Sequence, residues 1–139
     1  MDKKVYFAGS IRGGRADAAL YRDIIAHIQR TDSVLTEHVG DVSLSVLERG
    51  EEGDRAIYLQ DTAWLRECDI VIAECTCPSL GVGYELAYAE AHGKPCLILY
   101  RRSVCELSAM LTGNEYYTVR PYETREQAFD IIDAALGNK

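Results

Sequence analysis

Asp69-Ile70-Val71-Ile72-Ala73-Glu74 runs into Cys75-Thr76-Cys77-Pro78-Ser79-Leu80-Gly81-Val82-Gly83, and then into Tyr84-Glu85-Leu86-Ala87-Tyr88-Ala89-Glu90-Ala91-His92. A continuous apolar run closed at both ends by an acid reads as a strand covered on both faces. The proline and two glycines that follow mark a loop from Thr76 to Gly83, and the alanines predict a helix from Tyr84 to His92. Gly93-Lys94-Pro95 stops that helix, and Pro95–Tyr100 (Pro-Cys-Leu-Ile-Leu-Tyr) reads as the next strand. Strand, helix and strand within about 30 residues is the pattern of one parallel crossover unit.

The same alternation extends outward in both directions. Lys4–Gly9 is an apolar strand ended by glycine, and Ala16–Arg30 carries Leu20, Ile24, Ile25 and Ile28 at helical spacing. Ser33–Thr36 reads as a short second strand and Asp54–Cys68 as a helix. The polar stretch Gly40–Gly53 between them is the longest irregular segment, and its position suits a flap over a site. Towards the C terminus come a short helix around Cys105–Leu111 and a strand around Tyr116–Arg120. The last helix opens on Thr124-Arg125-Glu126-Gln127, a capping-box pattern, and turns Phe129, Ile132 and Leu136 inward. Five strands separated by helices predict a flavodoxin-like three-layer α/β sandwich, with a five-stranded parallel sheet in the order 2-1-3-4-5.

Composition narrows the partners. With 139 residues, 47% apolar and 27% charged, residues 1–139 read as one globular domain. A net charge of −7 with no basic run argues against a nucleic-acid polymer or an anionic membrane surface as the main partner, yet leaves a small anionic ligand open. No apolar stretch approaches the roughly 18 residues of a membrane helix, and Met1-Asp2-Lys3-Lys4 lacks the flanks of a signal peptide. The five cysteines are odd in number and form no C-x-x-C. Cys75 and Cys77 have no histidines at metal-site spacing. They read as reduced thiols in a cytoplasmic protein without a metal.

In an open parallel sheet of this order, ligands bind at the carboxyl ends of strands 1 and 3. Both glycine-rich loops follow those strands: Gly9-Ser10-Ile11-Arg12-Gly13-Gly14-Arg15 and Pro78–Gly83. The first resembles a P-loop, but Arg15 and Ala16 stand where the lysine and the magnesium-binding hydroxyl belong. Ser10, Arg12, Arg15 and backbone N–H groups at a helix start suit a single phosphate, although solvated arginines on a glycine turn would look the same. The second loop lacks a small residue at Leu86, which disfavours NAD and FAD.

Two carboxylates stand out by position. Asp61 lies in the apolar stripe Ile57, Asp61, Trp64, Leu65, Cys68. A carboxylate buried there either finds a partner or holds its proton, which suits acid–base work. Spacing alone equally allows a residue just off the core that caps a loop or pairs an arginine. Glu85, in the first turn of the helix after the glycine loop, is expected to be ionised by the helix dipole and poised as a nucleophile. Ordinary first-turn acidic bias would also put a glutamate there. Two carboxylates beside a phosphate loop match the logic of glycosidic cleavage.

Tyr6–Arg15, Leu35-Thr36-Glu37-His38-Val39, Gln60-Asp61-x-x-Trp64-Leu65, Pro78–Leu86 and Leu107-Ser108-Ala109-Met110 together resemble the 2'-deoxynucleoside 5'-phosphate N-hydrolases of the nucleoside 2-deoxyribosyltransferase superfamily. The resemblance spans Val5 to about Gly113. It implies a homodimeric, cofactor-free hydrolase that splits deoxynucleoside 5'-monophosphates into free base and 2-deoxyribose 5-phosphate. By the resemblance, Glu85 is the nucleophile, Asp61 the proton donor to the base, and Tyr6 the residue that orients Glu85. Ser10, Arg12 and Ser79 match phosphate-binding positions, with Ile11, Gly13 and Gly81 beside them as substrate-binding residues. Ser108 matches a serine that completes the neighbouring subunit's site. Transferases of the superfamily carry an aspartate where Ser79 stands, six residues before the nucleophile. An aspartate would repel a 5'-phosphate that a serine can bond. Base exchange between deoxyribosides, and hydrolysis of a ribonucleotide such as CMP, are the alternatives this resemblance leaves open.

Overall fold

The computed structural model describes residues 2–10, 17–36 and 51–138. Five parallel strands form one sheet in the order β2-β1-β3-β4-β5. They are β1 (Lys4–Gly9), β2 (Ser33–Val34), β3 (Ile70–Glu74), β4 (Cys96–Arg101) and β5 (Thr118–Tyr122). The helices are α1 (Ala18–Gln29), α2 (Glu51–Glu67), α3 (Leu80–Ala91), α4 (Ala109–Thr112) and α5 (Arg125–Leu136). The order is the one expected from the alternation of elements.

Every residue of β3 is buried, because helices cover both faces of the central strand. Strand alternation sorts its side chains into two cores. Ile70 and Ile72 join Val5, Phe7, Leu97 and Leu99 against Ile24 and Ile28 of α1 and Ile132 and Leu136 of α5. Val71 and Ala73 join Tyr6, Ala8 and Ile98 against Leu65 of α2 and Leu86 of α3. The α5 capping box is formed as expected: Thr124 Oγ accepts from the Gln127 N–H, and Gln127 reaches back to the Thr124 N–H.

Several boundaries differ from the sequence expectation, each for a local reason. α3 starts at Leu80 instead of Tyr84. Ser79 is its N-cap and accepts from the Val82 N–H at 3.2 Å, so Gly81-Val82-Gly83 is the first turn of the helix and not a free loop. β2 ends at Val34, two residues early. Thr36 replaces the missing strand with its side chain: Oγ1 accepts from the Phe7 N–H at 2.9 Å and donates to the Phe7 carbonyl at 2.6 Å. β5 begins at Thr118, because the Tyr117 N–H turns back to the Asn114 carbonyl. α2 begins at Glu51, inside the stretch expected to be a flap. The rest of that stretch up to Gly50, and Ile11, Arg12, Gly13, Gly14 and Arg15 of the first loop, lie outside the described residues.

Gly9 is fixed by packing. A Cβ on Gly9 would meet the Tyr21 ring at 2.8 Å, so its absence lets that ring lie under the end of β1. The Tyr21 hydroxyl then accepts from the Ser10 N–H at 3.2 Å. The loop therefore leaves the sheet from a pinned residue.

Candidate active site

Three of the expected residues converge over β1, on the α2/α3 face of the sheet. Tyr6 is on β1, buried against the α2/α3 face, and its hydroxyl donates a short hydrogen bond to Glu85 Oε2 on α3. Asp61 approaches from α2, half-buried, and its charge acts on both Tyr6 and Glu85. Pairing of α2 and α3 over β1 brings together residues 79 positions apart in the chain.

The electrostatics correct one expectation. Glu85 sits in the second turn of α3, not the first, and its carboxyl is held up at about 7. Burial is the largest cause, opposed by the Tyr6 hydrogen bond, and the charge of Asp61 raises it further. Helix-dipole stabilisation is outweighed by desolvation. The Tyr6 hydroxyl is pushed well above its usual value, first by burial and then by Glu85 and Asp61, so it remains a donor throughout the working pH range. A carboxylate that is half-ionised near neutrality and bonded to a permanent donor suits nucleophilic or acid–base chemistry.

Of the expected substrate-binding residues, Ser10, Ser79, Gly81 and Ser108 are described, while Ile11, Arg12 and Gly13 lie outside the described residues. Ser10 is buried at the end of β1. Ser79 caps α3, and because its oxygen accepts from Val82, its hydroxyl proton remains available to a ligand. Gly81 follows in the exposed first turn. Its missing side chain is not demanded by packing, since a Cβ there would lie at an ordinary 3.8 Å from Ser79 Oγ. Ser108 caps the short α4, accepting from the Met110 N–H at 3.2 Å. A groove of about 700 Å³ joins Ser79 and Ser108 along the outer side of α3, with Leu80, Gly83 and Met110 on its walls. Tyr6, Asp61 and Glu85 are not among the residues lining that groove.

All five cysteines are free. Burial pushes the thiol of Cys68 up to about 11 and those of Cys75 and Cys96 to about 12, which keeps them protonated and unreactive. The sequence reading missed Tyr21 and Glu74. An acid ending a wholly apolar strand was the one signal available for Glu74. Among the described residues no helix is long and apolar enough to cross a membrane.

A parallel sheet of order 2-1-3-4-5, with a tyrosine-bonded carboxylate and a second acid at its switch point, defines an α/β protein built for chemistry on a small molecule. Residues 5–126 match the family described as nucleoside 2-deoxyribosyltransferase, and the chain belongs to that family. The chain is 57% identical over 113 residues to the 5-hydroxymethyl-dUMP N-hydrolase of Mus musculus, a match covering 78% of this chain and 64% of the mouse protein. The protein of the same name from Tetraodon nigroviridis is 50% identical over 126 residues, covering 86% of this chain and 87% of its own. Among solved structures, the CMP N-glycosidase BcmB of Clostridium botulinum superposes with a TM-score of 0.65 at 19% identity, covering 94% of this chain and 99% of that one. That likeness is one of fold.

Proposed function

We propose that the chain hydrolyses the N-glycosidic bond of 2'-deoxynucleoside 5'-monophosphates, releasing free base and 2-deoxyribose 5-phosphate. The observation that carries this reading is the Tyr6–Glu85 hydrogen bond with Asp61 beside it. In the state where Asp61 holds the proton of the pair and Glu85 is ionised, Glu85 attacks the anomeric carbon as the bond to the base breaks, and Asp61 gives its proton to the departing nitrogen. Water then attacks the same carbon, Asp61 takes the water's proton back, and the Glu85 carboxylate is released. Tyr6 keeps Glu85 oriented. Because departure of a base builds positive charge on the sugar, a carboxylate at contact distance stabilises the transition state.

The 5'-phosphate is assigned to Ser10, Arg12 and Ser79, with Ile11, Gly13 and Gly81 beside them as substrate-binding residues. A serine at position 79 supports a phosphorylated substrate. The names of the mouse and fish relatives make 5-hydroxymethyl-dUMP the first substrate to test. We also propose a homodimer in which Ser108 completes the neighbouring site. Leu80 is 96% exposed and Met110 81% exposed beside the groove that joins Ser79 and Ser108, a bare apolar rim suited to burial against a second copy. A cytoplasmic setting, where thiols stay reduced, belongs to the same proposal.

The test is a panel of deoxy- and ribonucleoside monophosphates, with and without an added acceptor base, analysed for free base and sugar phosphate. Free base and 2-deoxyribose 5-phosphate in equal amounts is the expected result. A predominance of exchanged nucleotide, or base release from ribonucleotides alone, would overturn the reading.

A further inference from the structure

On the opposite face of the sheet from Glu85 lies a second carboxylate that the proposed chemistry does not use. Glu74 ends β3, flanked in register by Gly9 of β1 and Leu99 of β4, and is wholly buried. A lone carboxylate there would be costly, but this one accepts three hydrogen bonds. The Thr76 N–H reaches Oε1 at 3.0 Å, the Thr76 hydroxyl reaches Oε2 at 2.6 Å, and the Tyr122 hydroxyl reaches Oε2 at 2.6 Å.

The contacts run on from there to Asp17, at the start of α1. Thr76 Oγ1, having given its proton to Glu74, accepts from the Arg101 backbone N–H at 2.9 Å and from Arg101 Nε at 3.4 Å. The Arg101 guanidinium in turn holds Asp17 at 2.6 Å. Tyr21 lies within the field of Glu74 and accepts from the Ser10 N–H. Ser10 and Asp17 bracket the first loop. Thr76 stands three residues before Ser79, the cap at the start of α3. The ends of β1, β3, β4 and β5 therefore meet around one buried carboxylate.

Building on the function proposed above, we infer that Glu74 is a positioning residue for phosphate recognition, fixing Ser10 and Ser79 at the spacing that one 5'-phosphate requires. It touches no substrate atom. Its hydrogen bonds set where two anion-binding segments stand relative to each other, and misplacing them weakens an anchor without touching the reacting carboxylates.

Glu74→Gln is the test, since it preserves size while replacing one acceptor oxygen by a donor. With a 2'-deoxynucleoside 5'-monophosphate, KM is expected to rise about tenfold with kcat changed less than about threefold. The same variant should lose far less kcat/KM on the parent deoxynucleoside, which has no phosphate. Isothermal calorimetry with inorganic phosphate should show a matching rise in Kd. Equal losses on the two substrates, or a lowered melting temperature with KM and phosphate Kd unmoved, would reduce Glu74 to a purely structural group and overturn the inference. If Glu74→Gln does not fold, Tyr122→Phe removes one of the three donors and should raise KM and phosphate Kd about threefold; unchanged constants overturn the inference. Wild-type protein that binds phosphate but releases no base defeats the proposed hydrolysis alone, and the calorimetric comparison still decides this one. Wild-type protein that binds no phosphate overturns both.

Discussion

Replacing Tyr6 by Phe removes one hydroxyl and leaves a ring of the same shape in a site only 1% exposed, so the fold should be retained. What changes is the acidity of Glu85. Its carboxyl stands at about 7 because burial raises it while the Tyr6 hydrogen bond holds it down. A hydrogen bond to a charged group contributes about 1.5–3 kcal/mol, and each pH unit corresponds to about 1.4 kcal/mol. Without the hydroxyl, the acid limb of kcat/KM should move up by about one to two pH units. At pH 7 the ionised fraction then drops from about half to between about 1% and 10%, and activity drops about five- to fiftyfold. At about pH 9 the gap should close to roughly twofold, because Glu85 is again ionised in both proteins. The assay is kcat/KM for base release from about pH 5 to 9, at constant ionic strength. A loss of equal size at every pH would refute the argument, since it would mean that Tyr6 orients Glu85 without tuning it.

Glu85→Gln should abolish turnover and stabilise the protein at high pH only. The folded carboxyl, raised from 4.5 to about 7, holds its proton more tightly than the unfolded one, so wild-type stability declines as pH rises through that window. The glutamine escapes this cost, and denaturant melts should show a gain of up to about 3 kcal/mol near pH 8 and almost none near pH 4. Ser79→Asp should keep the helix cap, because aspartate caps as well as serine, while weakening phosphorylated substrates at least tenfold more than unphosphorylated ones; equal KM changes on the two would dismiss Ser79 as a phosphate ligand. Gly9→Ala forces a methyl to within 2.8 Å of the Tyr21 ring and should cost about 1–3 kcal/mol in thermal or urea unfolding. Wild-type stability in that variant would show that the ring can retreat freely.

The sheet was legible because its signals are local. The continuous apolar run of β3, the glycine that ends β1 and the capping box of α5 each act within a few residues of themselves. The start of α3 is hidden in the sequence because Gly81 and Gly83 have poor helix propensity, while the cap that overrides them is one serine three residues before Val82. The same shift moves Glu85 from the first turn to the second, where burial and not the helix dipole decides its acidity. Tyr6 and Asp61 could be matched to a family pattern, yet nothing in their spacing says that the Tyr6 hydroxyl meets Glu85. The role of Glu74 is not legible beyond its place at the end of an apolar strand, because its partner Tyr122 is 48 residues away and enters from the far edge of the sheet.

Two buried acids illustrate how one sheet separates reactivity from rigidity. Glu74 ends β3 and Glu85 stands on α3 over Tyr6 of β1, and both would be costly if left without donors. Glu74 has both oxygens engaged by Thr76 and Tyr122 and is wholly buried, so it serves the framework and not a substrate. Glu85 receives its hydrogen bond from Tyr6 on Oε2, which leaves Oε1 for the attack proposed here and keeps the carboxyl near the midpoint of its titration at neutral pH. The difference follows from strand parity. Residues 70, 72 and 74 of β3 point to the face covered by α1 and α5, where Tyr122 of β5 donates its hydroxyl to Glu74, whereas Tyr6 points the other way, at α2 and α3. A one-residue shift in either strand would exchange these surroundings, and the reactive carboxylate would lose the tyrosine on which its acidity depends.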